Sequence, residues 1–532
     1  MTDPAGTPPP GIVGSGNRAV LGDIEIMLAD SSADSAGAMG SRGSAIRAFD
    51  AVKALAFIGD LSMGQPTDHS LRTAWLAGQL ARAAGFDAAA CDTVREASLL
   101  RWSGCTANAS GFADVLGDDI AGREAMLAAR PDWAEPLETQ GGPSVAITPL
   151  AQIHCEVSGE VARMLSLEQG TEAALRHIFE TLDGNGLPDR LAGDRVPPAV
   201  FVVSIAGDLE IFSRVYGLDR ALLLIANRAG TNYPAPMTAL VAMHAAQWLR
   251  ALDETQAEGI DDALLTPRMR EATPLELIAD VIDLKAPWMT GYSRTVATTA
   301  AACCTNMSAD TQMAERVYRA GLIHGIGRAA VPNAIWNTPT RLSAAAWEKV
   351  RLVPYWTSRA GRQTGALAEA AELASCAYER LDGSGYFRGA AGQALTLEAR
   401  ILAASIAWVA LRSPRPWREA LTAADAATTL RTEADQGRFD GNVIETLLAS
   451  GPAPQAATRY RPQAVRLSAR ETDVLRSISR GASNKEAARE LGLSPSTVRT
   501  HVESVFRKLE CSTRAAATLK ASSMGFLQEG AS

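Results

Sequence analysis

Near its C-terminus the chain reads Ser483-Asn-Lys485-Glu486-Ala-Ala-Arg-Glu-Leu-Gly492-Leu-Ser494-Pro495-Ser496-Thr497-Val498-Arg499-Thr500-His501-Val502. Ser483 and Glu486 stand at the spacing with which a hydroxyl and a carboxylate satisfy each other's free helix-end amides. Gly492 sits where that helix must stop, and Ser494-Pro495 places a cap residue before a proline at the first helical position. Two helices joined by a tight turn are expected. Upstream, Ser468-Ala-Arg-Glu471 repeats the capping box and Gly481 closes the helix it opens. Downstream, Ser512 or Thr513 caps a fourth helix running to about Met524. The helix after Ser494 carries Val498, Val502, Val505 and Leu509 on one face, with Arg499, Thr500, Glu503 and Arg507 on the other. An apolar stripe behind a donor-rich polar face is what a helix lying in the DNA major groove requires.

The run Leu467-Ser-Ala-Arg-Glu471, Val474-Leu475, Gly481 to Ala488, Leu493 to Val502 and Lys508-Leu509 resembles the LuxR-type helix-turn-helix family. The resemblance implies a four-helix domain over 465–528 that binds double-stranded DNA. It places Lys485, Thr497, His501 and Lys508 at positions suited to phosphate contact, with Ser496 also among the DNA-binding residues. Arg499, Thr500 and Glu503 would face base edges. The fourth helix commonly mediates dimerisation in this family, and a homodimer on two half-sites is expected.

Charge agrees with that placement. Between Val465 and Gln528 there are eleven Lys/Arg against six Asp/Glu, an excess of five on a chain of net charge −8. The remaining residues therefore carry −13, as expected when one domain alone meets phosphates. At 532 residues the chain is too long for one core, and its 47% apolar content fits globular folding. Seven cysteines show neither a Cys-x-x-Cys pair nor a disulfide spacing, which reads as a reducing cytoplasm. No run of about 18 uncharged apolar residues occurs, so no membrane span is expected. Residues 1–44, rich in Pro, Gly and Ser, read as a disordered tail.

Ala/Leu-rich helical patterning makes the rest mainly α. Glu180-Thr-Leu-Asp183-Gly184-Asn-Gly186 recurs 199 residues later as Glu379-Arg-Leu-Asp382-Gly383-Ser-Gly385, and His69-Ser-Leu-Arg recurs 223 later as Tyr292-Ser-Arg-Thr. A tandem duplication follows: one helical module over 45–255, another over 272–450, then a Pro-containing linker over 451–464.

Gly321-Leu-Ile-His324-Gly325-Ile-Gly327-Arg328, Pro354-Tyr355, the Asp382 loop, Ala399-Arg-Ile-Leu-Ala-Ala and Arg415-Pro-Trp-Arg418 resemble the HD-GYP branch of the HD phosphohydrolases. Active members hydrolyse cyclic dinucleotides at a centre of two or three metal ions. Such a centre needs several imidazoles and carboxylates converging on the ions. Here the opening histidine is Tyr292, the His-Asp pair is His324-Gly325, and the later ligand positions are Val353, Ala377, Tyr378 and Ile406. In the first module His69 and His154 stand at plausible positions and Asp208 lies two residues beyond the expected aspartate. Leu99-Leu-Arg101-Trp102 holds no His-Asp pair, and His177 is offset. The candidate metal ligands are thus His69, His154, Asp208 and His324, a weak set, and Gly327-Arg328 and the Asp382 loop read as turns. No Gly-rich phosphate loop occurs.

The expectation is a mainly α chain: two tandem HD-like bundles without a catalytic metal centre or cofactor, then a LuxR-type domain. It would act as a cytoplasmic transcriptional regulator whose bundles sense an effector, small molecule or nucleotide, or hold the dimer together. The alternative is a metal-dependent cyclic-dinucleotide phosphodiesterase with an auxiliary DNA-binding domain.

Overall fold

The computed structural model describes residues 44–308, 310–450 and 465–527. The tail as far as Gly43 and the linker over 451–464 lie outside the described residues. The architecture is mainly α, as the patterning predicts. Strand β1 (Ala45–Arg47) opens the first bundle, followed by α1 (Ala48–Ser62), α2 (His69–Ala83), α3 (Ala88–Leu100), α4 (Pro143–Met164) and α5 (Pro198–Tyr216) among its main helices. Strand β2 (Ala272–Pro274) opens the second, with α6 (Glu276–Asp283), α7 (Tyr292–Ser308), α8 (Thr311–Ile323), α9 (Val353–Thr364) and α10 (Leu397–Arg412). The last four helices are α11 (Ala469–Ser479), α12 (Asn484–Leu491), α13 (Pro495–Leu509) and α14 (Arg514–Ser523).

The two bundles reuse the same fastenings. Asp60 accepts hydrogen bonds from the Ser70 amide and hydroxyl (3.1 and 2.6 Å), as Asp283 does from Ser293 (both 2.7 Å), 223 residues on. Glu180 accepts from the Asp189 and Leu191 amides (2.7 and 3.0 Å), as Glu379 does from Arg388 and Ala390 (2.8 and 3.1 Å), 199 residues on. Each pair ties a helix to the following helix or loop, so both offsets read in the sequence reappear as repeated geometry.

The bundles are nevertheless one body. The strands β1 and β2 pair antiparallel, Ala45 opposite Pro274 and Arg47 opposite Ala272. Every residue of α1 is buried, because it packs on α2 and α3 on one side and on α6, α9 and the Ile326–Ala330 turn on the other. A helix wrapped this way must be apolar nearly all round, and Phe49, Val52, Leu55, Phe57 and Ile58 all contribute. A single apolar core consequently runs through both bundles.

The C-terminal domain has its own core of Val474, Leu475, Ile478, Val498, Val502, Val505 and Leu509. Both capping boxes close: Ser468 with Glu471 (2.7 and 3.2 Å) and Ser483 with Glu486 (2.8 and 3.3 Å). Gly492 ends α12 in the left-handed region (φ 65°), and the Ser494 hydroxyl accepts the Thr497 amide. Of the two caps offered for the fourth helix, Thr513 is used. That helix packs against the body: Lys520 lies 3.3 Å from Glu160 on α4, and the Ser522 hydroxyl donates to Asp280 on α6 at 2.9 Å. Ser512 binds Glu156 through amide and hydroxyl, and the Thr290 hydroxyl donates to the Ser479 carbonyl at 2.8 Å. Among the described residues no helix is long and apolar enough to cross a membrane.

Candidate functional sites

Helix α13 turns Val498, Val502, Val505 and Leu509 inward and leaves Ser496, Thr497, Arg499, Thr500 and Glu503 exposed. Arg499 and Glu503 pair one turn apart at 2.9 Å, and the Thr500 hydroxyl donates to the Ser496 carbonyl at 3.2 Å. Lys485 is exposed at the start of α12, and His501 is half-buried. Thr497 is partly used at the cap, its hydroxyl 2.8 Å from that of Ser494. Lys508 is not free: its ammonium donates to Glu471 at 2.6 Å. Burial would raise the Glu471 carboxyl, but Lys508 and the Ser468 amide outweigh it and hold the acid at about 2. The apparatus is a donor-bearing helix face standing clear of the body, because the domain docks through α14 instead.

In the first cleft, α3 ends by delivering Arg101 and Trp102 inward. Arg101 is buried, its guanidinium carbon 4.1 Å from the centre of the Trp102 ring, and its Nε and Nη1 have no hydrogen-bond partner. Position 207 on α5 is glycine, and a Cβ there would collide with Nη1 and require the guanidinium to shift. Gly207 lies next to Ala206, the position at which the resemblance expects the first bundle's aspartate.

Of the expected ligands, His154 and Asp208 are engaged elsewhere, while His69 keeps a buried Nε2 without a hydrogen-bond partner. The His69 Nδ1 donates to Glu210 at 2.6 Å. Burial lowers the His69 imidazole, while His69 and Arg214 overcome the opposing effect of burial on Glu210 and keep it ionised, at about 2. The pair is therefore a neutral imidazole on a carboxylate. The His154 Nε2 donates to the Arg101 carbonyl at 2.8 Å, and burial pushes that imidazole down to about 3. Asp208 accepts from Arg228 and Tyr233. Three ligand atoms do come within 4.8 Å of one another, but they belong to His177, Glu180 and Asp189, the only such group among the described residues. Both oxygens of Glu180 are already held by backbone amides.

The second cleft repeats the substitution of charge. His324, 223 residues after Arg101, donates from Nδ1 to the Gly321 carbonyl (2.6 Å) and accepts from Arg328 at Nε2 (2.7 Å). Arg328, read from sequence as part of a turn, is buried in the cleft, 3.4 Å from Asp283 and 5.0 Å from the Tyr292 ring centre. A Cβ on Gly325 would come within 2.7 Å of its Nη1. Arg415 lies over Trp288 and Tyr292 at 4.6 and 4.8 Å. The Asp382 loop is a turn, its carboxylate accepting the Ser384 amide at 2.9 Å.

Each cleft thus buries a guanidinium against a glycine, Gly207 in the first and Gly325 in the second, and Gly325 stands where the resemblance expects a metal-binding aspartate. A bridged metal pair needs converging anionic and imidazole ligands around empty space. Here the space holds a fixed cation, and a divalent ion would meet like charge. The residues present do not fit such a centre. Sequence reading missed Arg101, Gly207 and Glu210. An arginine set between Leu99-Leu100 and Trp102 was the available signal for Arg101.

Comparison with known proteins places these features. Residues 276–443 match the HD domain family, and residues 465–521 match the luxR family of bacterial regulatory proteins. The chain is 24% identical over 397 residues to 3'3'-cGAMP-specific phosphodiesterase 3 of Vibrio cholerae, which covers 68% of this chain and 85% of that protein. The C-terminal region is 44% identical over 80 residues to the probable transcriptional regulatory protein NarL of Mycobacterium tuberculosis, 15% of this chain and 37% of that one. The crystal structure of a cyclic GMP-AMP specific phosphodiesterase of V. cholerae superposes with a TM-score of 0.56 over 76% of this chain and 98% of that one. At 20% identity this likeness speaks for the fold alone. The chain joins an HD-fold helical body to a C-terminal helix-turn-helix domain of the luxR family.

Proposed function

We propose that this chain is a sequence-specific DNA-binding transcriptional regulator whose HD-like bundles, over 45–255 and 272–450, serve as a sensor and dimerisation scaffold rather than a phosphodiesterase. The observation that carries the reading is the exposed polar face of α13 on a domain over 465–528 whose docking leaves that face clear. Lys485 supplies phosphate attraction, with Ser496, Thr497 and His501 at the backbone, while Arg499, Thr500 and Glu503 read base edges. Lys508 reaches phosphate only by leaving Glu471. One such domain buries little surface, so two copies on paired half-sites are needed for tight binding. An effector, small molecule or nucleotide, would act by changing the spacing of the two DNA-binding domains.

A second reading is a metal-dependent cyclic-dinucleotide phosphodiesterase, favoured by the 85% coverage of a relative that carries that activity in its name. One preparation of the full chain separates the two. Selection of sites from random duplex DNA that enriches a two-fold or repeated motif, on protein without bound metal, supports the regulator. Stoichiometric transition metal and turnover of 3'3'-cGAMP, with no enriched motif, supports the enzyme.

A further inference from the structure

A groove of about 850 Å³ separates the two bundles, within the range of small-molecule sites. Its walls come from different halves of the chain. On the first-bundle side lie α1, the loop into α2, and the helices Ala235–Glu254 and Ala257–Leu264; on the other side lies α9. The Gln363 amide on α9 donates to the Thr67 carbonyl at 2.7 Å and fastens the walls together.

The charges on the two walls differ in kind. On the first-bundle wall Lys53 is paired with Asp261 at 2.6 Å and Arg72 with Asp253 at 2.9 Å, so those cations are neutralised. On α9, Tyr355, Arg359 and Arg362 follow one another at one-turn spacings and share a helix face. Arg359 and Arg362 are exposed and have no hydrogen bond or ion pair among the described residues. Beside them the Tyr355 and Trp356 rings lie 5.1 Å apart, edge to face. Asp68 is the only other carboxylate in the lining, which leaves the groove with an excess of positive charge on its aromatic side.

We propose that this groove binds a phosphorylated nucleoside. Two free guanidiniums on one face suit the forked hydrogen bonding of a phosphate, and an adjacent aromatic pair suits a planar base. The groove's lining includes none of Arg101, His154, His324 and Arg328, and it borders the first cleft where Arg72 approaches Glu210 at 3.6 Å. A ligand seated there touches both bundles and so couples their relative position to its concentration.

The test is calorimetric titration of the full chain with AMP, GMP, CMP and UMP, with adenosine, guanosine and inorganic phosphate run alongside. The expected result is saturable binding of at least one nucleotide, its nucleoside binding at least tenfold more weakly. Arg359→Gln with Arg362→Gln should weaken the nucleotide at least tenfold without moving the melting temperature, both residues being exposed. Arg415→Gln, in the second cleft, should leave binding unchanged. Absence of saturable binding by all four nucleotides overturns the proposal, as does binding that survives the double substitution. Loss of binding with Arg415→Gln also overturns it, by moving the ligand into the cleft. Site selection on DNA remains informative whichever result is obtained.

Discussion

Arg101 is a charge buried without the partners that usually justify one. Two of its nitrogens lack a hydrogen bond, and burial lowers its pKa despite the carboxylate of Asp208 nearby. Removing a poorly compensated buried ion in favour of an apolar chain of similar length is often neutral or stabilising. Arg101→Met should therefore unfold in urea at a midpoint equal to or above the native one; a clear drop would show that its carboxylate neighbours depend on it. The histidines make the opposite kind of statement. Burial holds His154 at about 3 against an ordinary 6.5, so the unfolded chain takes up a proton that the folded chain refuses. Its contribution is fully present above 6.5 and is lost as pH falls towards 3. That loss costs about 1.4 kcal/mol per pH unit for each such group. His154→Gln should make the urea midpoint fall less steeply between pH 6 and 4, by about one proton's worth. An unchanged slope would mean that the imidazole is protonated in the fold.

At the scale of elements, α13 is the piece whose structure was most legible in the sequence. Its period, its Ser494-Pro495 start and its inward valines all lie within one short stretch, and local capping chemistry needs no distant partner. Arg499→Ala should cost about 1–3 kcal/mol on the selected site and little on random DNA. Equal losses on both would make it a phosphate contact. Lys485→Ala should lower affinity on every sequence and flatten the salt slope by about one unit; an unaltered slope would take it out of the interface. Lys508→Ala should change the slope by less than that, since Glu471 already holds its ammonium. Sequence spacing placed Lys508 on the right helix but could not show this tie, which joins residues 37 apart.

At the scale of the whole molecule, α14 is covered by the chain's own body, which holds it with Glu160 and Asp280 and holds Ser512 just before it with Glu156. Glu156→Ala combined with Ser522→Ala should raise amide hydrogen exchange along Arg514–Ser523 while exchange in α13 stays as it was. A rise in both would mean that the domain unfolds rather than undocks. The duplication was legible because each copy keeps a fastening glutamate, Glu180 or Glu379, beside its Asp-Gly turn, a pattern only a few residues long. The sequence alone determined the helical class, the C-terminal helix-turn-helix domain with the exposed polar face of α13, and the scarcity of metal ligands, because caps, periodicity and residue identity are local properties. Only the tertiary structure decided that Arg101 and Arg328 fill the clefts, that α1 lies in a core common to both bundles, and that α14 docks on the body. Those outcomes depend on glycines and carboxylates contributed from far along the chain, up to 356 residues away for Glu156 and Ser512. Packing selects such partners by shape and charge once the helices are assembled, and no local pattern records that choice.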